Sequence, residues 1–230
     1  MKFITVYGLP VSIIDPSLAP GSPTGPTGTP IDRDKNVIFM AMDQAAKVLK
    51  VGDIVFSHLH HLPTEKVSVA TNCWANHVGI VVDTSGHEPV IAESAFPFSR
   101  KTELSRFIGH SKGGRIAASR LDIRLTGVQA GHIARAANAR LGVFYDTGFN
   151  LHSRRQFCSR FVREILEEAT GIVVGEAETF TSLLDRNPDA RLAFWHIWYF
   201  GTIPWKRSTV TPASLLQSSR LLTVFDAFVR

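Results

Sequence analysis

Hydrophobic and polar positions change period several times along this chain, and each change marks an expected element. "KFITVYG" reads as a short leading strand. Residues 15–30, "DPSLAPGSPTGPTGTP", offer little to bury and many backbone breaks, so they are expected to form a flexible linker or loop. In "DKNVIFMAMDQAAKVLK", Val37, Met40, Ala41, Ala45 and Val48 fall at roughly helical spacing and predict a helix ending near "KVGD". "DIVFSHL" predicts a strand with alternating burial, and "HVGIVVD" a more continuously apolar one. "PVIAESA" is a third strand, and the turn-rich "TSGHE" before it makes residues 77–95 an expected antiparallel hairpin. "GRIAASRLD" predicts a further strand.

Two helices follow. "TGVQAGHIARAANARLG" has Thr126 as N-cap and Gly142 as stop. "RQFCSRFVREILEEATG" puts Phe161, Ile165, Leu166 and Ala169 on one face and ends at Gly171. The tail, "LAFWHIWYFGTIPWKR", is rich in aromatics. It is expected mainly to cover the sheet, with an amphipathic lipid-facing surface as the alternative. A short antiparallel sheet with several helices argues for the α+β class. The chain divides into an extension over residues 1–47, holding the linker and a helix, and a domain over residues 48–230.

Composition changes this picture little. The 230 residues are 44% hydrophobic and 20% charged, ordinary for a globular domain. The net charge of +5 favours anionic partners, among them phospholipid head groups and cell-wall polymer. No run of Lys and Arg interleaved with aromatics marks a nucleic-acid face, so nucleic acid is not an expected partner. "MKFITVYGLPVSII" lacks the features of a secretory signal, and no stretch has the length of a membrane span. The location is therefore left open between the cytoplasm and a non-classical export route.

The two cysteines are too few for a disulfide scaffold, and they differ in setting. Cys158 is expected to open a helix, where unpaired N–H groups and the helix dipole favour a thiolate. Arg154, Arg155, Arg160 and Arg163 add positive charge nearby in sequence. A thiolate nucleophile needs a base, and the base an orienting group. His77 begins one hairpin strand and Glu93 lies in the other; a turn centred near Ser85 would set them directly opposite. Cys73 is nearer to His77 in sequence, but it precedes a strand and is expected to be a packing residue. Trp74, Asn76 and Tyr145 are candidate substrate-binding residues; Asp146 beside Tyr145 reads equally as a turn former. In "SHLHH", His58 and His60 share one strand face with His61 on the other. That pattern leaves a metallohydrolase as an alternative, although Leu62 and Pro63 stand where an acidic ligand would be wanted.

"VGDIVF", "NCWANHVGIVVD", "VIAESA", "LGVFYDTGF" and "RQFCSRFVREIL", in that order, resemble the permuted papain-like hydrolases. These form the circularly permuted branch of the NlpC-type superfamily, akin to lecithin retinol acyltransferases. The resemblance is to the YebB/YiiX-like group and covers roughly residues 48–215. It implies a papain-like core with Cys158 as nucleophile, His77 as base and Glu93 in the third, polar position. It implies no cofactor. Many relatives have Tyr before the cysteine, where this chain has Phe157. The implied activity is cleavage of an acyl amide or ester through a thioester, on a cell-envelope substrate such as a peptidoglycan peptide or a phospholipid. Relatives that are antibacterial toxins imply, for that role, an inhibitor partner. A non-catalytic lipid-binding module on the same fold, with peripheral membrane contact, is the alternative.

Overall fold

The computed structural model describes residues 3–6, 9–12, 39–187, 190 and 192–230. The expected linker at 15–30 lies outside them. The leading strand is β1 (Phe3–Val6), which pairs antiparallel with β2 (Leu9–Ser12). Next come β3 (Phe39–Met40), α1 (Met42–Val48), β4 (Ile54–Leu59), α2 (Leu62–Thr71), β5 (His77–Asp83), β6 (Val90–Ser94) and β7 (Ser99–Glu103). Then follow α3 (Leu104–Gly109), β8 (Ser111–Leu121), α4 (Gly127–Asn138) and α5 (Cys158–Thr170). The chain closes with β9 (Glu178–Thr179), α6 (Phe180–Asp185), α7 (Leu192–Trp198), β10 (Ser208–Thr209), α8 (Pro212–Leu216) and β11 (Leu221–Val229).

Seven strands form the main sheet in the order β3-β11-β8-β4-β5-β6-β7. All neighbours are antiparallel except β3, which runs parallel to β11. The class is α+β, as the sequence predicts. Both faces of the sheet are covered. Ile54, Phe56, Val78 and Ile80 pack against α4 and α5. Val55, Val81 and Ile91 pack with α1, α3 and β11. Double coverage removes the alternation expected of "DIVFSHL": Ile54, Val55, Phe56 and Ser57 are all buried, because either side of the strand meets a core.

Thr126 caps α4 by accepting the Gln129 N–H at 3.2 Å, and Gln129 bonds back to the Thr126 N–H. Gly171 ends α5 with φ of 73°, a left-handed cap that favours glycine. The pattern of positions along the chain predicts none of α2, α3, β7 and β11, nor the short elements β2, β9, β10, α6, α7 and α8, and the helix expected to end near Lys50 begins only at Met42, after β3. Residues 39–48 pack as part of the sheet layer, since Met40 and Ala45 are buried with Phe225 and Val229. That stretch of the expected extension is thus packed on the domain that follows.

The aromatic tail is partly buried, in a cluster apart from the two that cover the sheet. Trp195 and Ile203 are buried with Phe180 and Ala70, whereas Ile197 is 79% and Phe200 98% exposed. Among the described residues no helix is long and apolar enough to cross a membrane.

Candidate active site

Cys158 is the first residue of α5, and His77 is the first residue of β5. α5 is strongly two-sided, burying Phe161, Val162, Ile165 and Leu166, so its orientation against the sheet is fixed by its apolar face. The Ser159 hydroxyl donates to the Val210 carbonyl at 2.7 Å and anchors the first turn. Phe157, in extended conformation just before it, is buried with its ring 5.9 Å from that of Phe149. The first N–H groups of α5 have no carbonyl partner within the helix. One of them, that of Ser159, hydrogen-bonds the Cys158 sulfur.

The hairpin register differs from the expected one. Glu93 stands opposite Gly79, not His77, and the pairing shifts between Val81 and Asp83. The offset is two residues, an even number, so His77 and Glu93 remain on one face as diagonal neighbours. A one-residue slip would have separated them. Gly79 has no side chain, and a Cβ there would lie 2.5 Å from Ile91 Cγ2. Across this opening His77 Nε2 reaches Glu93 Oε2 at 2.6 Å. Both side chains are buried, and the imidazole ring lies 5.7 Å from that of Phe107. With Nε2 held by Glu93, Nδ1 is the ring nitrogen left for the Cys158 thiol, to which His77 is hydrogen-bonded.

These contacts reset the protonation of the three groups. Burial alone would lower the pKa of His77, but hydrogen bonds and charge from Cys158 and Glu93 carry it from 6.5 to about 10. Burial would raise Glu93, yet His77, Thr102 and Arg100 bring it down to about 2. Burial likewise opposes the Cys158 thiolate, and His77, the Tyr145 hydroxyl and the Ser159 N–H outweigh it, leaving the thiol below its ordinary value. The site thus favours a thiolate–imidazolium pair over neutral thiol and imidazole. Tyr145 itself is pushed well above its ordinary value by burial and by the neighbouring Cys158, so it stays a neutral donor.

Tyr145 Oη lies 4.0 Å from Cys158 Sγ. Asn76 also lines the cleft, with both ends of its amide tied to Leu59: Oδ1 accepts the backbone N–H at 2.7 Å and Nδ2 donates to the carbonyl at 3.0 Å. Asp146 forms a turn, accepting the N–H groups of Gly148 and Asn150. Trp74 is not among the lining residues, and its ring lies under the Arg115 guanidinium at 4.2 Å. Cys73 packs against the core beside Trp74. The arginines near Cys158 in sequence turn elsewhere: Arg160 bonds Glu164 Oε1 at 2.6 Å, and Arg163 donates to the Gly175 carbonyl. Arg154 and Arg155 are exposed. The cation that holds the thiolate is His77.

The "SHLHH" histidines do not share a strand face. β4 ends at Leu59, so His60 lies beyond it and His61 caps α2. His58 Nδ1 donates to the Trp74 carbonyl at 2.5 Å, and its Nε2 faces Glu65 Oε1 at 3.0 Å. Among the described residues no group of three or more His, Cys, Asp and Glu side chains is placed to hold a metal ion.

Sequence reasoning missed two supports of Glu93. Thr102 Oγ1 donates to Glu93 Oε1 at 2.6 Å, and Arg100 Nε donates to the same oxygen at 3.0 Å. Both lie in "SRKTE", whose polar residues give no period to read. It also missed the cleft beside Cys158, whose walls come from α2, the 145–149 turn, α6, Trp195 and residues 209–212.

The model of a family described as permuted papain-like amidases, YaeF/YiiX, C92 family, matches residues 48–225. YiiX of Escherichia coli K12, an uncharacterised protein, is 26% identical over 175 residues, covering 76% of this chain and 85% of YiiX. A crystal structure of YiiX from E. coli O157:H7, there described as a metalloprotein, superposes with a TM-score of 0.72 at 27% identity. That match covers 78% of this chain and 98% of the solved one.

Proposed function

This chain belongs to the permuted papain-like amidase family, and on that premise we propose that it is a cysteine hydrolase with Cys158 as nucleophile, His77 as base and Glu93 as the residue that orients His77. The observation that carries this reading is the buried contact of His77 Nε2 with Glu93 at 2.6 Å, which turns the other ring nitrogen toward a helix-initial thiol. The Cys158 thiolate adds to the substrate carbonyl. The resulting oxyanion is held by free N–H groups at the start of α5 and by the Tyr145 hydroxyl. The acyl–heteroatom bond breaks, and the departing amine or alcohol takes its proton from the His77 imidazolium. His77 then removes a proton from water as the hydroxide adds to the thioester. The carboxylic acid leaves, and the thiolate–imidazolium pair is restored.

The solved YiiX is described as a metalloprotein, and the His58 region is where this chain carries its histidine cluster. His58 Nε2 and His60 Nδ1 lie 3.0 and 3.8 Å from Glu65 Oε1, and among the described residues no group of three or more His, Cys, Asp and Glu side chains is placed to hold a metal ion. No step above uses a metal. For substrate, the net charge of +5 supports a cell-envelope acyl amide or ester carried near anionic head groups or cell-wall polymer.

Iodoacetamide should label Cys158 much faster than Cys73 near neutral pH. Cys158→Ala should abolish turnover of peptidoglycan or phospholipid, with products read by mass spectrometry, while leaving the melting temperature within a few degrees. Full activity in that variant would remove the nucleophile assignment. Slow labelling together with retained lipid binding would favour a non-catalytic lipid-binding module.

A further inference from the structure

Three phenylalanines hold much of their surface in water: Phe96 is 74% exposed, Phe98 45% and Phe144 63%. Such residues are ordinary when scattered singly, but a contiguous apolar group on a surface marks an interaction site. Backbone pairing makes this group contiguous. Phe98, just before β7, bridges antiparallel to Phe144, which lies in the connection between α4 and α5. The Tyr145 N–H donates to the Pro97 carbonyl and the Ser99 N–H to the Val143 carbonyl, both at 2.9 Å. Arg100 Nη1 donates to the Phe96 carbonyl at 3.4 Å and ties Phe96 to the same edge.

Along an extended segment, successive side chains point to opposite sides. Phe144 therefore faces out where Tyr145 turns in, with its hydroxyl 4.0 Å from Cys158 Sγ. Ser99, next to Phe98, is likewise buried. Cations border the outward side. The Gln156 N–H donates to the Phe144 carbonyl at 3.2 Å, and Tyr145 pairs in parallel with Gln156, so the exposed Arg155 lies beside Phe144. Arg154 is also exposed, and Arg100 stands on the Phe96 flank. Arg100 donates to Glu93 as well, whose single charge is shared with the His77 imidazolium. Across residues 94–101 and 142–156 the one acidic residue is Asp146, and it is buried in its turn.

We propose that this patch docks the protein on an anionic lipid surface, with the three rings entering the head-group boundary and the arginines pairing with phosphates. Rings alone would suit any apolar partner. The border of cations, with no exposed carboxylate in these segments, selects a negatively charged one. A lipid surface offers an apolar layer and anionic head groups side by side, as the rings and cations are set here. The proposal rests on this patch and not on the thiol chemistry. Because Phe144 adjoins Tyr145, docking holds the Cys158 site close to the surface.

The test is co-sedimentation of the full chain with vesicles of phosphatidylcholine alone or in equal mixture with phosphatidylglycerol. Binding should require the anionic lipid and weaken at least roughly tenfold between about 0.1 M and 1 M salt, as the screening length falls from about 10 Å to about 3 Å. Arg154→Gln with Arg155→Gln should weaken it roughly thirtyfold, from about 1 kcal/mol per arginine. Phe96→Ser with Phe144→Ser should weaken it at least roughly tenfold, with the melting temperature and the rate of Cys158 alkylation unchanged. Phe96→Ser alone, at the most exposed of the three, replaces that pair if it fails to fold. Ile197→Ser with Phe200→Ser, at the exposed positions of the aromatic tail, should leave binding intact. Loss of binding in the tail pair rather than the phenylalanine pair overturns the proposal. So does equal binding to neutral vesicles, or binding to cell-wall sacculi but to neither vesicle. Dimerisation abolished by the phenylalanine pair, without vesicle binding, overturns it in favour of contact between copies of this chain.

Discussion

Replacing Glu93 by Gln keeps a hydrogen-bonding side chain of the same shape beside His77 and removes its charge. The pKa of Glu93 is about 2 against an ordinary 4.5, a drop of about 2.5 units (4.5 − 2). At about 1.36 kcal/mol per unit, that is on the order of 3 kcal/mol of net preference for the carboxylate. Thr102 and Arg100 supply part of it, and His77 owes part of its own rise to Cys158. The pKa of His77 is therefore expected to fall by on the order of two units in Glu93→Gln. The sign for stability follows from the direction. His77 sits at about 10 when folded against 6.5 as its ordinary value. Its imidazolium stabilises the fold fully below 6.5, and that contribution is lost as pH rises through about 10. In the variant the loss still begins near 6.5 but is smaller and is complete at lower pH. Nitrogen-15 NMR of the histidine ring gives the midpoint directly, and the alkaline limb of Cys158 alkylation should move with it. A midpoint unchanged from wild type would refute the argument that the Glu93 carboxylate holds His77 charged.

Three further predictions rest on single contacts. Tyr145→Phe removes the hydroxyl 4.0 Å from Cys158 Sγ, so the thiol pKa should rise and kcat/KM fall roughly tenfold; an unmoved acid limb of the alkylation profile would show that the hydroxyl does not act on the sulfur. Asn76→Ala strips the Leu59 N–H and carbonyl of their side-chain partners, costing about 2 kcal/mol and lowering Tm by roughly 4–8 °C in a scan. An unchanged Tm would count against this structural role for Asn76. Gly79→Ala forces a Cβ to within 2.5 Å of Ile91 Cγ2 and 3.1 Å of the Ala92 carbonyl. The overpacking should cost about 1–3 kcal/mol and depress turnover by parting β5 from β6; wild-type melting and rate together would refute it.

Much of the site is legible along the chain because its signals are local. A helix start at Cys158 follows from the apolar spacing of Phe161, Ile165 and Leu166 and the stop at Gly171. The hairpin holding His77 and Glu93 follows from two apolar runs around a turn. Side-chain parity along a strand also survives an even register error, which is why a mistaken pairing still put those two residues on one face. The charge around Cys158 was misread for the opposite reason. Nearness in sequence says nothing of where a long arginine side chain finds its partner, and Arg160 and Arg163 find theirs within their own helix and at Gly175.

The sequence by itself therefore determined the α+β class, the main hairpin, the two long helices and the residues able to do thiol chemistry, since short-range periodicity and capping specify those. Tertiary structure alone decided the register at Asp83, the bracing of Glu93 by Thr102 and Arg100, and the apolar cleft. The first two rest on pairing between neighbouring strands, whose register periodicity does not fix, and the cleft on segments far apart in the chain, such as Val67, Leu183 and Trp195.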